Sequence, residues 1–183
     1  EIVQIYRGLD ADTWQAQYLC NKVDISGNVY KFDENVHVAP WKYDSNRDVF
    51  WGMDFGYHDP MVILFAQKDD LGSIRVFDEI YMRFVLVQDV AEVVRTKGYK
   101  KPIVAFCEPT AKYLKAEWQR IKYADGKTDV FNVRSAPKNA REISVGIKAV
   151  QQRLCDNQGR ATLFIDPKCE NLIKEFKTYH WRH

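Results

Sequence analysis

Two acids of this chain stand where chemistry is easiest to build. Asp54 lies in WGMDFGYHDP (residues 51–60) and Glu108 in IVAFCEPTAK (residues 103–112). Each closes a short run of β-branched and aromatic residues, and turn residues follow at once. A carboxylate at the end of an apolar strand is costly to desolvate unless it is paired or holds a cation. Gly52 and Gly56 flank Asp54 and leave the backbone open to close approach. Asp59-Pro60 then sets the turn into the next strand. Neighbouring strands lie about 4.8 Å apart, so two such strands placed side by side let their terminal carboxylates share one or two divalent cations. Two hard oxygen ligands suit Mg²⁺ or Mn²⁺, which keep positions open for water and phosphate oxygens. A pair of such ions about 3.5–4 Å apart activates a water and stabilises the leaving oxygen of a phosphodiester.

Other residues compete for the same role. Asp166, in LFIDPKC, also follows a strand and precedes a proline, so it is a third metal-ligand candidate. Its competing reading is a turn that enters the last helix. Asp78 and Glu79 are expected to end a third strand at the sheet edge, away from Asp54. His58 stands four residues past Asp54, close enough to touch a substrate, although a histidine in a turn is usually only exposed. Two motifs are decoys. Asp54-Phe55-Gly56 matches the metal-binding triplet of protein kinases, but no glycine-rich loop, strand lysine or His-Arg-Asp loop precedes it. Gly126-Lys127-Thr128 lacks the glycine of a phosphate loop five residues earlier, where Ile121 stands, and Asp125 beside it would repel phosphate.

The elements that must position these acids follow from periodicity. Val49–Phe55, Met61–Gln67 and Ser73–Tyr81 read as three strands joined by short turns, an antiparallel meander. Val90, Val93 and Val94 mark a helix over Asp89–Lys97 that stops at Gly98. From there strand and helix alternate. Pro102–Cys107 is a strand, and Thr110 caps a helix carrying Leu114, Trp118 and Ile121. Val130–Val133 is a strand, and after Pro137 comes a helix with Ile143, Ile147, Val150 and Leu154 on one face. Thr162–Ile165 is the last strand, and Leu172, Ile173, Phe176 and Tyr179 mark the last helix. A meander leading into β-α-β-α-β-α predicts an α/β fold: a ribonuclease-H-like mixed sheet with helices on both faces, its first and fourth strands adjacent. Residues 1–48 read as an irregular N-terminal arm, with one short helix near Trp14, Tyr18 and Leu19 and a turn at Gly27-Asn28. Residues 49–183 read as the globular domain.

Composition agrees with a globular chain. Of 183 residues 46% are hydrophobic and 14% aromatic, which excludes a disordered polymer. The longest apolar run, Met61–Ala66, is far too short to span a bilayer. Cys20, Cys107, Cys155 and Cys169 show no ligand-like spacing, so zinc is not expected and reduced thiols in a cytoplasm are. The net charge is only +2, but residues 95–141 hold 12 Lys/Arg against 4 Asp/Glu, whereas the rest hold 15 against 21. A basic middle fits a polyanion as well as a solvated lysine face. Lys112, Lys115 and Arg141 of this stretch are the candidates to contact such a polyanion, and the resemblance given next makes them candidate DNA-binding residues.

These segments together resemble the C-terminal nuclease domain of the large terminase subunit of tailed bacteriophages. DTWQAQYLCNKVDISGNVYKF is similar to that family's entry segment. GMDFGYHDP resembles its first metal-binding strand, with Asp-Phe-Gly-x-x-Asp-Pro as the most specific feature. EPTAK is similar to the second acidic motif, where the family more often has Asp. LFIDPKCENLIKEFKTYHW resembles a late segment ending in Tyr-x-Trp. The resemblance implies a ribonuclease-H-like endonuclease with Mg²⁺ or Mn²⁺, two ions, that cuts concatemeric double-stranded DNA during packaging into the procapsid. It implies as partners the terminase ATPase domain, the small terminase and the portal, and as location the cytoplasm of the infected host. It places a third carboxylate beyond His183, so this stretch is expected to be a fragment that binds metal weakly, cuts slowly and prefers Mn²⁺. Other readings of the residues are a resolvase- or transposase-type nuclease, a sugar-kinase or actin-type phosphotransferase fragment, and a non-enzymatic DNA-binding module.

Overall fold

The computed structural model describes residues 27–108, 111–120, 133–135 and 143–181. Its elements in chain order are α1 (Glu34–His37), β1 (Phe50–Asp54), β2 (Met61–Lys68), β3 (Ile74–Met82), α2 (Val87–Lys97), β4 (Val104–Cys107), α3 (Lys112–Arg120), β5 (Val133–Ser135), α4 (Ile143–Leu154), β6 (Leu163–Ile165) and α5 (Glu170–Thr178). The six strands form one sheet in the order β5-β4-β1-β2-β3-β6. β1, β2 and β3 pair antiparallel, while β4 runs parallel to β1, β5 to β4, and β6 to β3. Every strand except β2 therefore points its carboxyl end to the same edge. The expected meander, the adjacency of the first and fourth strands and the ribonuclease-H-like class are all present.

Alternation along the strands divides the core in two. On one face Trp51, Met53, Ile63, Phe65 and Ala105 are buried against Val90 and Val94 of α2 and Trp118 of α3. On the other, Val76 and Ile165 pack with Leu154 of α4 and Phe176 of α5. β1 shows the consequence: Trp51 and Met53 are buried, whereas Gly52 and Asp54, which alternate with them, are exposed. α2 ends as its sequence demands, with Gly98 in the left-handed conformation at φ 64. Its start is held by the Asp89 carboxylate, which accepts the Leu86 N–H at 2.8 Å. Residues 27–48 lie on the domain. Ala39 N–H donates to Ile165 O at 2.9 Å, and the buried Gln67 side chain accepts from Asp44 N–H and donates to Asp44 O.

Three expectations change. β3 is not the sheet edge, because β6 pairs beyond it. Asp78 and Glu79 sit within β3, which continues to Met82. Ile143 opens α4 but is 76% exposed, so that helix buries Ile147 and Leu154 without it. Thr110, Ile121, Val130, Pro137 and the helix expected near Trp14 lie outside the described residues.

Candidate active site

Asp54 is the last residue of β1 and Glu108 follows the last residue of β4 directly. Met53 is level with Cys107 in the parallel β1–β4 ladder, so the next residues, Asp54 and Glu108, come level one step further on. Both fall on the same side of the sheet, since Gly52 and Phe106, two residues earlier in each strand, are paired and exposed while Met53 and Cys107 are buried. Adjacent strands put such residues roughly 5 Å apart. Gly52 makes this approach open. A Cβ there would meet nothing closer than Leu64 Cβ at 4.0 Å, so the floor beside Asp54 is bare backbone.

The two carboxylates feel each other. Surrounding protein raises the Asp54 pKa above its ordinary value; the charge of Glu108 raises it further and that of Asp59 adds to the rise, against a lowering hydrogen bond from the Phe55 backbone. The Asp54 side chain is nonetheless open to solvent, which keeps its charged form accessible to a cation. A cavity of about 430 Å³ opens beside it, lined by Asp54, Asp59, Glu79, Tyr81, Arg83 and Glu175.

Asp59 is the acid that sequence reasoning treated only as a turn former. The signal was present in the Asp-Phe-Gly-x-x-Asp spacing. Gly56 is what folds the loop back: a Cβ there would lie 2.4 Å from Asp59 O and 2.7 Å from Pro60 O. No side chain fits, so glycine lets the loop close on itself and bring Asp59 to the cavity.

Asp166 does not join this pair. Its carboxylate accepts Trp41 N–H at 2.7 Å and Lys168 N–H at 3.0 Å. β6 is three strands from β1, about 14 Å, and Ile165 is level with Val76, so Asp166 comes level with Phe77, four residues down β3 from Tyr81, the residue level with Asp54. That is about 13 Å more along the strand. Asp166 ties the lead-in segment to a turn. Asp78 points to the other face, where Lys97 Nζ and the Tyr99 hydroxyl hold it at 2.7 and 2.6 Å. Glu79 lines the cavity but is engaged at the start of α5, accepting Asn171 and Leu172 N–H at 2.8 and 2.9 Å. Lys112 begins α3, four residues past Glu108, and Lys115 one turn on donates to Ser135 Oγ at 3.3 Å. Arg141 lies outside the described residues.

Two solvent-open carboxylates on adjacent strands, with a third lining the cavity, fit a hard divalent cation by charge and donor type. Among the described residues no three His, Cys, Asp or Glu side chains close around a single point, so the arrangement is an open one. None of the described helices is long and apolar enough to cross a membrane.

No protein-family model matches the sequence, and no curated protein matches it. Solved structures do. The large terminase of a thermophilic bacteriophage, in complex with ATP-gamma-S, superimposes with a TM-score of 0.75 over 99% of this chain at 19% identity. This chain spans 44% of that protein. The P22 large terminase nuclease domain matches at a TM-score of 0.64 and 18% identity, over 85% of this chain and 80% of that one. The nuclease domain of the large terminase of bacteriophage SPP1, with bound Mn, matches at 0.57 and 15%, over 81% of each. The fold is that of large-terminase nuclease domains.

Proposed function

We propose that this chain is the nuclease domain of a phage DNA-packaging large terminase, an endonuclease that hydrolyses phosphodiester bonds of double-stranded DNA with Mg²⁺ or Mn²⁺. The observation that carries the reading is the pairing of Asp54 with Glu108 on the open face of this sheet, in the fold shared with the P22 and SPP1 nuclease domains. Asp54 and Glu108 would hold the metal, two ions in the full site, with Asp59 as a further carboxylate facing the same space. Bound there, the metal would supply Lewis-acid activation of water and charge for the leaving oxygen.

The protein's own residues do the rest. Gly52 leaves room for a phosphate to approach the carboxylates without meeting a side chain. Gly56 sets the loop that brings Asp59 in. Lys112 and Lys115, on the helix that follows Glu108, would contact phosphates of the flanking duplex, as would Arg141. Contacts of this kind carry no sequence preference, as a nuclease that trims packaged genomes requires. In the whole protein an ATPase domain, a small terminase and a portal would be its partners, in the cytoplasm of the infected host.

The test is incubation of supercoiled and linear plasmid with this chain in Mg²⁺, in Mn²⁺ and in EDTA. Cutting in either metal and none in EDTA is expected. Cutting that survives EDTA, or DNA binding with no cutting in any metal, refutes the reading.

A further inference from the structure

Three exposed aromatic side chains cluster on the loop that follows Asp54 and next to Arg83, which lines the same cavity as Asp54. Tyr57 and His58 lie in the loop that leaves Asp54, and Phe84 lies in the connection that leaves β3. Tyr57 is 52% exposed and Phe84 63%. The rings contact one another edge to face, with centroids 5.4 Å apart for Tyr57–His58, 5.8 Å for Tyr57–Phe84 and 5.7 Å for His58–Phe84. Phe84 belongs to neither hydrophobic core.

The cluster is held in place. Phe84 N–H donates to Tyr57 O at 2.9 Å, and Arg83 Nη1 donates to His58 O at 2.8 Å. Phe84 has φ 56, the one positive φ of a non-glycine residue among the described residues. An aromatic residue in that conformation is a backbone outlier, which persists only where its surroundings over-determine it. Exposing two large rings also forgoes their burial. The fold thus maintains water-facing rings that pack on one another but on neither core, at a backbone cost.

Their setting names the partner. Arg83 lines the cavity that holds Asp54 and Asp59, and it immediately precedes Phe84. A guanidinium suits a phosphate, and a fixed ring beside it suits a base. That combination is the chemistry by which proteins bind unpaired nucleic-acid strands. A protein partner would need a broader apolar area than three rings bordered by Asp59 and Arg83.

The geometry points to Tyr57 and Phe84 as a stacking platform for an unpaired base next to the phosphate being cut, with Arg83 on a neighbouring phosphate. This rests on the nuclease reading above and adds that the strand is locally unstacked at the site. Tyr57 stands three residues on from Asp54, and Phe84 follows Arg83 of the Asp54 cavity, so both rings belong to the surroundings of the carboxylates. Stacking is indifferent to base identity, so the platform is compatible with cutting many sequences.

The test uses three DNA probes in EDTA: a single strand, a duplex with one unpaired 2-aminopurine, and a fully paired duplex. Wild type, Tyr57→Leu, Phe84→Asn and the double variant are compared by fluorescence anisotropy and by 2-aminopurine emission. Asn tolerates the left-handed backbone, and both side chains are exposed, so melting temperatures should stay near wild type. The double variant should bind the single strand and the unpaired probe about tenfold or more weakly and lose the quenching of 2-aminopurine. Its affinity for the paired duplex and its salt slope should not change, because phosphate contacts remain. Tyr57→Phe and Phe84→Tyr should retain wild-type affinity.

Wild-type affinity and quenching in a folded double variant that still cuts plasmid in Mn²⁺ would overturn the platform and leave the nuclease standing. Unchanged binding to all three probes with lost association to a separately prepared terminase ATPase domain would reassign the surface to a protein partner and overturn it as well. Absence of any cutting by wild type in Mn²⁺ would remove the nuclease reading and the platform with it.

Discussion

Neutralising Asp54 should make the metal-free protein more stable. Asp54 and Glu108 end adjacent strands on the same face, and each raises the free energy of the other's charged form. At about 5 Å the repulsion is about 0.8 kcal/mol in water-like surroundings and about 3 kcal/mol at an effective dielectric constant of 20. Asp54 is open to solvent, so screening holds the value near the lower end, about 1 kcal/mol. For a chain of this size that corresponds to a melting temperature about 2–4 °C higher for Asp54→Asn than for wild type in EDTA at neutral pH.

The sign with pH follows from the raised pKa. A carboxyl whose folded-state pKa exceeds its unfolded value of 3.8 binds more protons in the folded state, so wild-type stability falls as pH rises from 3.8 through the folded value. The advantage of Asp54→Asn should therefore vanish near pH 3.8 and be complete at neutral pH. Saturating Mn²⁺ should reverse the order, because a cation at one hundred times its Kd stabilises the wild type by about 2.7 kcal/mol and the variant by much less. Glu108→Gln should also raise the melting temperature in EDTA at neutral pH, and the double variant should gain little beyond either single one, since the shared repulsion is removed only once. Scanning fluorimetry in EDTA and in Mn²⁺ across pH measures all of this. A variant less stable than wild type in EDTA at neutral pH would refute the repulsion argument.

Three further outcomes follow from the same structure. Gly56→Ala should cost about 1–3 kcal/mol of stability and lower the cleavage rate, because the new Cβ lies 2.4 Å from Asp59 O and must push the loop away; denaturant titration and plasmid cleavage report both, and an unperturbed protein would contradict the loop packing. Asp78→Asn should destabilise by about 1.5–3 kcal/mol: burial raises the Asp78 pKa, but hydrogen bonds from Lys97 and Tyr99 outweigh it and hold the pKa low, so wild-type stability should be full above pH 3.8 and fall as pH drops through the lower folded value. A flat acid profile, or an equally stable variant, counts against that pair. DNA affinity should fall steeply with salt and be insensitive to sequence, with a shallower slope for Lys112→Gln/Lys115→Gln, each lost phosphate contact removing about 0.9 from the log–log slope; an unchanged slope excludes those lysines.

Local pattern carried most of the architecture because the β-branched and aromatic enrichment of β1 to β3 and the strand–acid–turn order at Asp54 and Glu108 are short-range signals. Their meeting was legible too, since a β1–β4 adjacency follows from the order of elements. The place of β6 was not. Its parallel pairing with the first residues of β3 is a long-range contact with no local mark, and missing it left Glu79 at an imagined edge rather than beside the cavity. Asp166 looked like Glu108 in sequence because strand–acid–proline is the same local pattern. Only the register separates a ligand position from one spent on Trp41 N–H. Asp59 was hidden by its proline, which reads as a turn whether or not the acid faces a site.

The central claim is that Asp54, with Glu108, holds the metal that cuts DNA. Single-turnover cleavage of supercoiled plasmid in Mn²⁺ by wild type and by Asp54→Asn, each shown folded by circular dichroism, tests it most directly. A metal ion in such a site stabilises the transition state by several kcal/mol, and each 1.36 kcal/mol is tenfold in rate, so the variant should cut about a thousandfold more slowly or not at all. A folded Asp54→Asn that nicks plasmid at the wild-type rate would contradict the account.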